Sequence, residues 1–572
     1  MQKNTEFPQL SINELTKIKD IYPEEITKFA FNLTRKTPNE LQLLSNKFLY
    51  LLISIKNDLF ISDDTMEIKK YIDYFIILNK LIIYTRDIFV GKGERDLTYM
   101  MIYTLYTQFP ILAINALKKI IISDVHLYPY GSWKDIKYFC NYVRENSYLK
   151  EKDPLIDTCI YILNQHLIED LSIISNNNNN NNNHHQNQDK ISFVGKWIPR
   201  EKSKKFGWLF NTCAIQWSQI VYPEYYYMVN NSNKEPSIKF QNKIKREYRK
   251  NLSLLNNYLN TVQIKQCQNK WSEIRFNNVS VNTLQKQWNV FLNQDTYGYI
   301  RKQNEDRNIC RENIINYMFY KKKEDICKIS SSFQMEDLIK DIENAQTLEY
   351  MERININWDK VKSSILQNIE NIIPILDLTT LNYRNALSIS IMLSEISKLK
   401  NKIIVYDQIA TWINLSNTSS LLEKIEIIQN IKNSKPIIET SNLFSCLELL
   451  MISIINTNLT EEDVENLVLC IISDFSTPLH DLQLHIQYFF YKYGYTKIPH
   501  IVYWNVSLNI KITFPCSAFT PRTLMISGTS SACLHFLNDP LWTEYTPYTY
   551  LCSVLNQDRY SEIDNELLEL IK

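Results

Sequence analysis

A single acidic residue at the end of an apolar run is the first position in this chain that could do chemistry. Residues 372–377 read IIPILD, and Asp377 is followed by Thr379, Thr380 and a helix-like apolar pattern. In open α/β sheets, ligands bind beyond the carboxyl ends of the strands, where such a segment would lie. A carboxylate beside hydroxyl groups supplies the hard oxygen ligands that Mg²⁺ prefers. This segment is therefore a candidate cation or ligand site.

A basic segment in the first half of the chain is the second candidate. Residues 190–270 contain fifteen Lys and Arg against four Glu, a net charge of +11, whereas the whole 572-residue chain carries +1. Cations neutralise phosphates, and aromatic rings between them can stack on unpaired bases. The predicted RNA-binding residues are Lys196, Arg200, Lys202, Lys204, Lys205, Lys243, Lys245, Arg246, Arg249 and Lys250, and the interleaved rings are Trp197, Phe206, Trp208, Phe240 and Tyr248. The alternative is a solvated helix face on which lysine stems cover buried rings.

Several function classes lose support because their motifs are missing from the sequence. The eight glycines form neither a GxxxxGK[ST] nor a GxGxxG loop, so we expect no nucleotide ligand. His480 and His485 are five residues apart, about 140° around a helix, and would not converge on a metal ion. No Ser/His/Asp or Cys/His arrangement is evident either. We therefore predict that the protein is not an enzyme.

The elements that must position the candidate residues change type along the chain. Residues 1–365 read as successive amphipathic helices, interrupted at 176–188 by an Asn-rich tract with His184 and His185 that we expect to be a disordered insertion. In residues 366–572, short apolar runs alternate with helix-length segments, which predicts a doubly wound parallel sheet covered on both faces. The predicted strands are 372–377, 402–407, 467–473, 500–505 and 523–527.

The cellular setting is inferred from what the sequence lacks. Eleven cysteines occur without a CxxC pair, which favours free thiols in a reducing compartment. The N-terminus has no signal-peptide core, and no run approaches the length of a membrane span. We therefore expect an intracellular, cytoplasmic protein without a membrane partner.

Four stretches together resemble the family catalogued as domain of unknown function 2828. They are TRDIFVGKGERDLTY (85–99), YGSWKDIKYF (130–139), KWIPREKSKKFGWL (196–209) and YRKNLSLLNNYLNTVQIKQCQNKWSEIRFNNV (248–279). That family is related to the Ro autoantigen, which joins a TROVE ring of helical repeats to a von Willebrand A domain. The resemblance implies a multidomain protein with a TROVE-like or HEAT-like helical-repeat domain over 1–365, a von Willebrand A-like domain over 366–572, and RNA as the ligand of the helices.

The charged residues of the first two motifs have two possible roles. We expect Lys92, Glu94 and Arg95, and likewise Lys134 and Asp135, to pair within the fold; contact with phosphate is the alternative. Large DNA viruses carry members of this family, so the resemblance also admits a virion-associated protein as a further interpretation.

The resemblance to a von Willebrand A domain also implies a three-loop Mg²⁺ site. Its first loop has the form Asp-x-Ser-x-Ser, and Asp377 and Thr379 match that pattern, whereas Leu381 replaces the last hydroxyl ligand. Ser441 takes the threonine position of the second loop, and Asp474 the aspartate position of the third. The predicted site is therefore degenerate. It binds Mg²⁺ weakly, or its two aspartates only cap loops.

Two function hypotheses follow from these observations. The first is a non-enzymatic RNA-binding protein in which the von Willebrand A-like domain serves as a docking module. The second is a protein–protein scaffold or adhesion-type module without RNA, in which the carboxyl edge of the sheet recognises an acidic peptide with or without metal.

Overall fold

A computed structural model provides the coordinates of the chain. It describes residues 21–122, 128–178, 191–224, 238–295, 297–320, 334–345, 348–365, 371–434, 441–476 and 482–564. The Asn-rich tract from residue 179 onward, with His184 and His185, lies outside the described residues, as do Thr440 and His480.

Helices occupy the first half of the chain, as the periodicity predicted. They are α1 (Tyr22–Phe31), α2 (Pro38–Ile61), α3 (Thr65–Arg86), α4 (Asp96–Gln108), α5 (Pro110–Ile121), α6 (Trp133–Asn146), α7 (Pro154–Asn178), α8 (Val194–Trp197), α9 (Gly207–Val221), α10 (Ile238–Tyr258), α11 (Val262–Cys267), α12 (Val281–Lys286), α13 (Trp288–Phe291), α14 (Glu305–Tyr320), α15 (Met335–Glu343) and α16 (Leu348–Ser363). Each helix from α1 to α7 packs on the next one along the chain.

Helix α2 shows how local sequence sets these elements. The Thr37 hydroxyl accepts a hydrogen bond from the Glu40 amide, and Pro38 occupies the first helical position, where its missing N–H costs nothing. The apolar positions then recur at helical spacing and are buried: Leu41, Leu44, Phe48, Leu51, Leu52 and Ile55. The stripe predicted from the sequence is confirmed, and it joins the main core of the helical half.

A six-stranded sheet forms within the described part of the second half. Its strands are β1 (Asn371–Asp377), β2 (Lys402–Tyr406), β3 (Thr411–Asn414), β4 (Leu467–Ser473), β5 (His500–Asn505) and β6 (Thr523–Ser527), in the order β3-β2-β1-β4-β5-β6. All five predicted strands are confirmed. The sheet is mixed rather than wholly parallel, because β3 pairs antiparallel with β2. Only residues 407–410 separate β2 from β3, too few for the crossover that a parallel neighbour requires.

Helices cover both faces of this sheet. The helices in question are α17 (Tyr383–Ile396), α18 (Leu421–Asn433), α19 (Phe444–Asn456), α20 (Glu461–Glu465), α21 (Leu482–Lys492) and α22 (Pro547–Leu555). One face packs on α17 and α18, together with α15 and α16, and the other packs on α19 and α21. The division of the chain at residue 365 stays a prediction, and two helices on its N-terminal side contribute to the core around the sheet.

Buried lysines join the helical half to the sheet half. The Lys92 ammonium donates to the carbonyls of Ala30 (3.2 Å) and Leu33 (3.0 Å), at the end of α1, and to the hydroxyl of Ser527 at the end of β6. Lys36 donates to the carbonyls of Ser507 and Asn509. Burial lowers the pKa of Lys92 to about 8 and that of Lys36 to about 7. The two halves therefore meet through specific polar contacts.

Among the described helices, none is both long and apolar enough to cross a bilayer.

Candidate functional site

The carboxyl edge of the sheet brings most of the predicted metal ligands together around Asp377. Strands β1 and β4 are neighbours in the middle of the sheet, where the strand order changes direction, so their last residues face one crevice. The Asp377 side chain is 1% exposed. One carboxylate oxygen, Oδ1, accepts from the amide (2.9 Å) and hydroxyl (2.7 Å) of Thr379. The other, Oδ2, accepts from the hydroxyls of Ser473 (2.7 Å) and Ser441 (3.2 Å).

Burial dominates the electrostatics of this carboxylate. Removal from water raises the pKa of Asp377, the hydrogen bonds from Thr379 and Ser473 oppose that rise, and the nearby charge of Asp474 adds to it. Asp474 is itself buried, and its Oδ1 accepts from the Ser476 amide at 3.2 Å. The site therefore contains one carboxylate enclosed by hydroxyl donors, with a second carboxylate nearby.

This donor set fits a resident Mg²⁺ ion poorly. The hydroxyl groups of Thr379, Ser441 and Ser473 donate to Asp377, so an ion would have to replace hydrogen bonds that already satisfy both carboxylate oxygens. Leu381 is 69% exposed and supplies no ligand. The described residues contain no cluster of three His, Cys, Asp or Glu suited to a metal. A cavity of about 30 Å³ beside the site, lined by Ser441 and Ser473 among others, has room for about one water molecule.

Sequence reasoning missed Ser473 as a member of this site. It precedes Asp474 at the end of β4, and its hydroxyl makes the shortest contact to Oδ2 of Asp377. A hydroxyl side chain at the last position of an apolar strand was the available signal. Thr380, which lies between Thr379 and Leu381, is 2% exposed, and its hydroxyl has no hydrogen-bond partner among the described residues.

The two predicted basic segments lie side by side in the helical half. Asn256 of α10 donates a hydrogen bond to the carbonyl of Gly195 in α8 at 2.9 Å, and Arg249 pairs with Glu201. A Cβ at Gly195 would lie 3.0 Å from the Cβ of Leu255, so the absence of a side chain permits this close approach. The segments around residues 196–205 and 243–250 therefore form one surface, which we call the basic surface.

Helix α10 is amphipathic, with apolar residues on one face and cations on the other. It buries Ile244, Tyr248, Leu252 and Leu255 on one face, which leaves its cations on the other. Eight of the ten predicted RNA-binding residues are exposed and two, Lys196 and Lys245, are half-buried; the exposed ones are Arg200, Lys202, Lys204, Lys205, Lys243, Arg246, Arg249 and Lys250.

The predicted stacking role does not hold for every ring. Tyr248 is wholly buried and donates its hydroxyl to the side-chain oxygen of Asn164 at 2.9 Å, so it cannot reach a base. Phe206 is also buried, whereas Trp197, Trp208 and Phe240 are half-buried. For Tyr248 and Phe206, the alternative of rings beneath a charged face is correct.

Next to the basic surface, and sharing Lys196 and Lys205 with it, cations from four chain segments converge on three aromatic rings. The cations are Arg95, Lys134, Lys137, Lys196 and Lys205, and the rings are Tyr138, Trp197 and Phe206. Lys137 lies 4.8 Å from the centroid of the Trp197 ring, and Arg95 lies 4.9 Å from that of Tyr138. We call these eight residues the cation–aromatic cluster.

The expected pairing of charges within the family motifs is confirmed only for the acids. Asp135 accepts two hydrogen bonds from Arg86, at 2.8 and 2.9 Å, and Glu94 pairs with Arg35. Among the described residues, no carboxylate pairs with Arg95 or Lys134. The two motifs therefore contribute a buried ion pair, Arg86–Asp135, and a partly exposed one, Arg35–Glu94, to the fold, and unpaired cations to the cluster.

The cations of the cluster perturb one another. Burial lowers the pKa of Lys137 to about 8, and repulsion from Lys134 contributes. The pKa of Lys134 is lowered by burial, and then by repulsion from Arg95 and Lys286. Burial likewise lowers the pKa of Lys196. These shifts mean that the cluster holds its positive charges at a free-energy cost.

Two protein families match separate parts of the chain, and each part contains one of the candidate sites. Residues 155–302, which include the basic surface, match the family described as domain of unknown function (DUF2828). Residues 373–547, which include the Asp377 site, match a second family described as domain of unknown function (DUF7788). No curated protein matches the chain. The match over residues 155–302 confirms the resemblance to the family catalogued as domain of unknown function 2828 for the two sequence motifs that lie within it.

Proposed function

We propose that the protein binds RNA, without catalysis, through the basic surface of its helical half. The observation that carries the proposal is the adjacency of two cationic segments that are separate in sequence. Side by side, they present eight exposed cations on one face. The only acids in those two segments, Glu201 and Glu247, are engaged by Arg249 and by the hydroxyl of Tyr222.

A surface of this kind suits an extended polyanion. Exposed Lys and Arg contribute little to fold stability, because surface ion pairs are weak and solvated. Their release of counterions from a nucleic acid, in contrast, adds with each phosphate neutralised. The choice of RNA over DNA is supported by the resemblance of the helical motifs to those of Ro-related proteins. A TROVE-like ring and a von Willebrand A-like docking domain belong to the same proposal.

The test is the salt dependence of RNA binding. A fluorescent single-stranded RNA should bind at about 0.1 M salt and dissociate towards 0.5 M, with a slope that reports the number of contacted phosphates. Reversal of three charges (Lys202→Glu, Lys204→Glu, Lys205→Glu) should weaken binding more than tenfold and lower the slope by about 2. The matched control reverses three exposed lysines elsewhere, Lys69, Lys70 and Lys398. Equal affinities of the two triple variants would refute the site.

A second candidate function is protein docking at the carboxyl edge of the sheet. Exposed Leu381 borders a cavity of about 600 Å³ that also includes Glu336, Tyr383 and Lys432. Lys432 lies 3.6 Å above the Tyr383 ring and within electrostatic reach of Asp377, which places a cation where an acidic peptide could bind. A photo-crosslinker at position 381 should capture one partner in ribonuclease-treated extract, unaffected by EDTA. Unchanged capture by the Lys432→Glu variant would exclude this mode.

A further inference from the structure

We propose that the cation–aromatic cluster is a phosphate-binding site, in which Lys134, Lys137 and Lys196 bind the oxygens of one phosphate group. The site itself is argued from the geometry of the cluster. The identification of RNA as the source of the phosphate rests on the function proposed above.

The three lysines surround a single indole. Lys134, Lys137 and Lys196 lie 5.7, 4.8 and 5.5 Å from the centroid of the Trp197 ring. They come from two different elements, α6 and α8, so the tertiary fold holds them together. Attraction between each ammonium group and the electron-rich ring offsets part of the repulsion between the like charges.

A second ring extends the cluster. Around Tyr138, Arg95 lies at 4.9 Å, Lys134 at 5.2 Å and Lys205 at 5.7 Å from the ring centroid. Phe206 packs edge-on against Tyr138, with centroids 5.1 Å apart, and supports this arrangement from below. Lys205 also belongs to the basic surface, so the cluster and that surface are continuous.

The cluster lacks an internal counter-charge. In the part of the chain that the structure describes, none of its five cations forms an ion pair or a hydrogen bond with a carboxylate. The acids that adjoin it in sequence are engaged elsewhere, Asp135 by Arg86 and Glu94 by Arg35. The Nη1 atom of Arg95 is buried without a hydrogen-bond partner. A buried N–H donor without an acceptor has lost its hydrogen bonds to water, and a bound anion would supply the missing acceptor.

Phosphate fits these donors better than a base or a carboxylate does. The rings face cations, so they hold the lysines in place rather than offering a free face to a base. Ammonium groups act as point charges that approach from several directions, which suits a tetrahedral group with several charged oxygens. A carboxylate presents two oxygens in one plane and would leave donors unused.

The decisive experiment uses pyrophosphate as a probe of the full-length protein, measured by calorimetry at low salt. The cluster variant Lys134→Gln/Lys137→Gln should lose at least tenfold in pyrophosphate affinity. The matched control, Lys69→Gln/Lys70→Gln, removes the same charge from exposed positions on α3 and should retain wild-type affinity within about twofold. Thermal unfolding checks that both variants fold. Wild-type protein that ignores pyrophosphate, or equal affinities of the two variants, would overturn the proposal.

A second measurement follows the protonation of the cluster lysines when the ligand binds. The phosphodiesters of a 5′-hydroxyl RNA do not titrate near pH 8, whereas burial lowers the pKa of Lys137 to about 8. The charged group that acts on Lys137 is Lys134, and Lys134 is in turn influenced by Arg95, Lys286, Arg86 and one acid, Asp135, which is engaged by Arg86. Bound phosphate should therefore drive proton uptake at pH 8, seen as a buffer-dependent binding enthalpy. Lys137→Arg should bind but take up fewer protons; identical uptake would count against the assignment.

The source of the phosphate is separated by two RNA ligands that differ only at the 5′ end. Tighter binding of the 5′-phosphorylated strand, lost in the cluster variant, identifies a terminal monoester; equal binding that the cluster variant weakens identifies internal diesters. RNA binding that the cluster variant leaves intact would refute RNA as the source of the phosphate, while the proposed function stands and pyrophosphate binding still decides the site. Pyrophosphate binding without RNA binding would support the phosphate site and refute the proposed function.

Discussion

The Asp377 site and the cation–aromatic cluster differ in how their charges are satisfied. Asp377 is buried, and both of its oxygens accept hydrogen bonds from nearby hydroxyl and amide groups. The cluster holds five cations over aromatic rings without a paired carboxylate in the described structure. A charge that its own fold satisfies supports the fold, whereas a charge that the fold leaves unpaired is available to a ligand. The second pattern is therefore the stronger indication of binding.

The largest expected effect tests the structural half of this comparison. Asp377→Ala removes the acceptor of four hydrogen bonds and leaves buried hydroxyls unsatisfied, so we expect a loss of about 3 kcal/mol in the free energy of unfolding. Urea denaturation monitored by circular dichroism measures it. RNA affinity at a temperature where the variant is folded should be unchanged. A drop in affinity without a drop in stability would reverse the roles of the two sites.

The pH dependence of Asp377 sharpens the same point. Its pKa is raised above the ordinary 3.8, so the folded state binds protons more tightly than the unfolded state does. Its contribution to stability should therefore decline as pH rises from about 3.8 through the folded pKa, and then stay constant. Asp377→Asn should remove this part of the pH profile. A wild-type profile in that variant would contradict the burial argument.

In the cluster, we expect a smaller change in the free energy of unfolding, with the opposite sign. Lys137→Met removes one of several mutually repelling cations and should stabilise the ligand-free protein by about 1 kcal/mol, since solvent screens a half-buried charge. The lowered pKa of Lys137 means that wild-type stability rises from pH 8 towards pH 10.5, and the variant should lose this rise. Thermal unfolding in phosphate-free buffer measures both. Destabilisation by this substitution would show that the lysine is structural.

The smallest expected effect concerns the ion pair between Arg249 and Glu201 within the basic surface. Glu201→Gln frees Arg249 and removes an acid, so RNA affinity should rise about twofold to threefold, with a steeper salt slope. Anisotropy titrations at two salt concentrations suffice to detect it. The matched control is Glu247→Gln, which leaves the Arg249–Glu201 pair in place and disturbs only the hydrogen bond from Tyr222. An effect confined to the control would place the RNA on a different face.

The sequence by itself determined the helical first half and the five buried strands of the sheet. Apolar periods of 3.6 residues, and apolar runs between helix-length segments, depend on local composition alone. It also located the basic segments, because net charge is a property of composition. Strand β3 escaped prediction because TWIN is a short edge strand that lacks a continuous apolar run.

Only the tertiary structure decided which of these residues act together. It brought the hydroxyl of Ser473 in β4 into hydrogen-bond contact with Asp377 of β1. It also buried Tyr248, which the sequence analysis had predicted to stack on RNA bases. It also brought Lys134 and Lys137 to the rings of Trp197 and Phe206, more than fifty residues away in sequence, and Arg95 to the ring of Tyr138. Convergence of this kind depends on how helices pack. Packing is set by contacts between residues distant in sequence, and no local pattern records them.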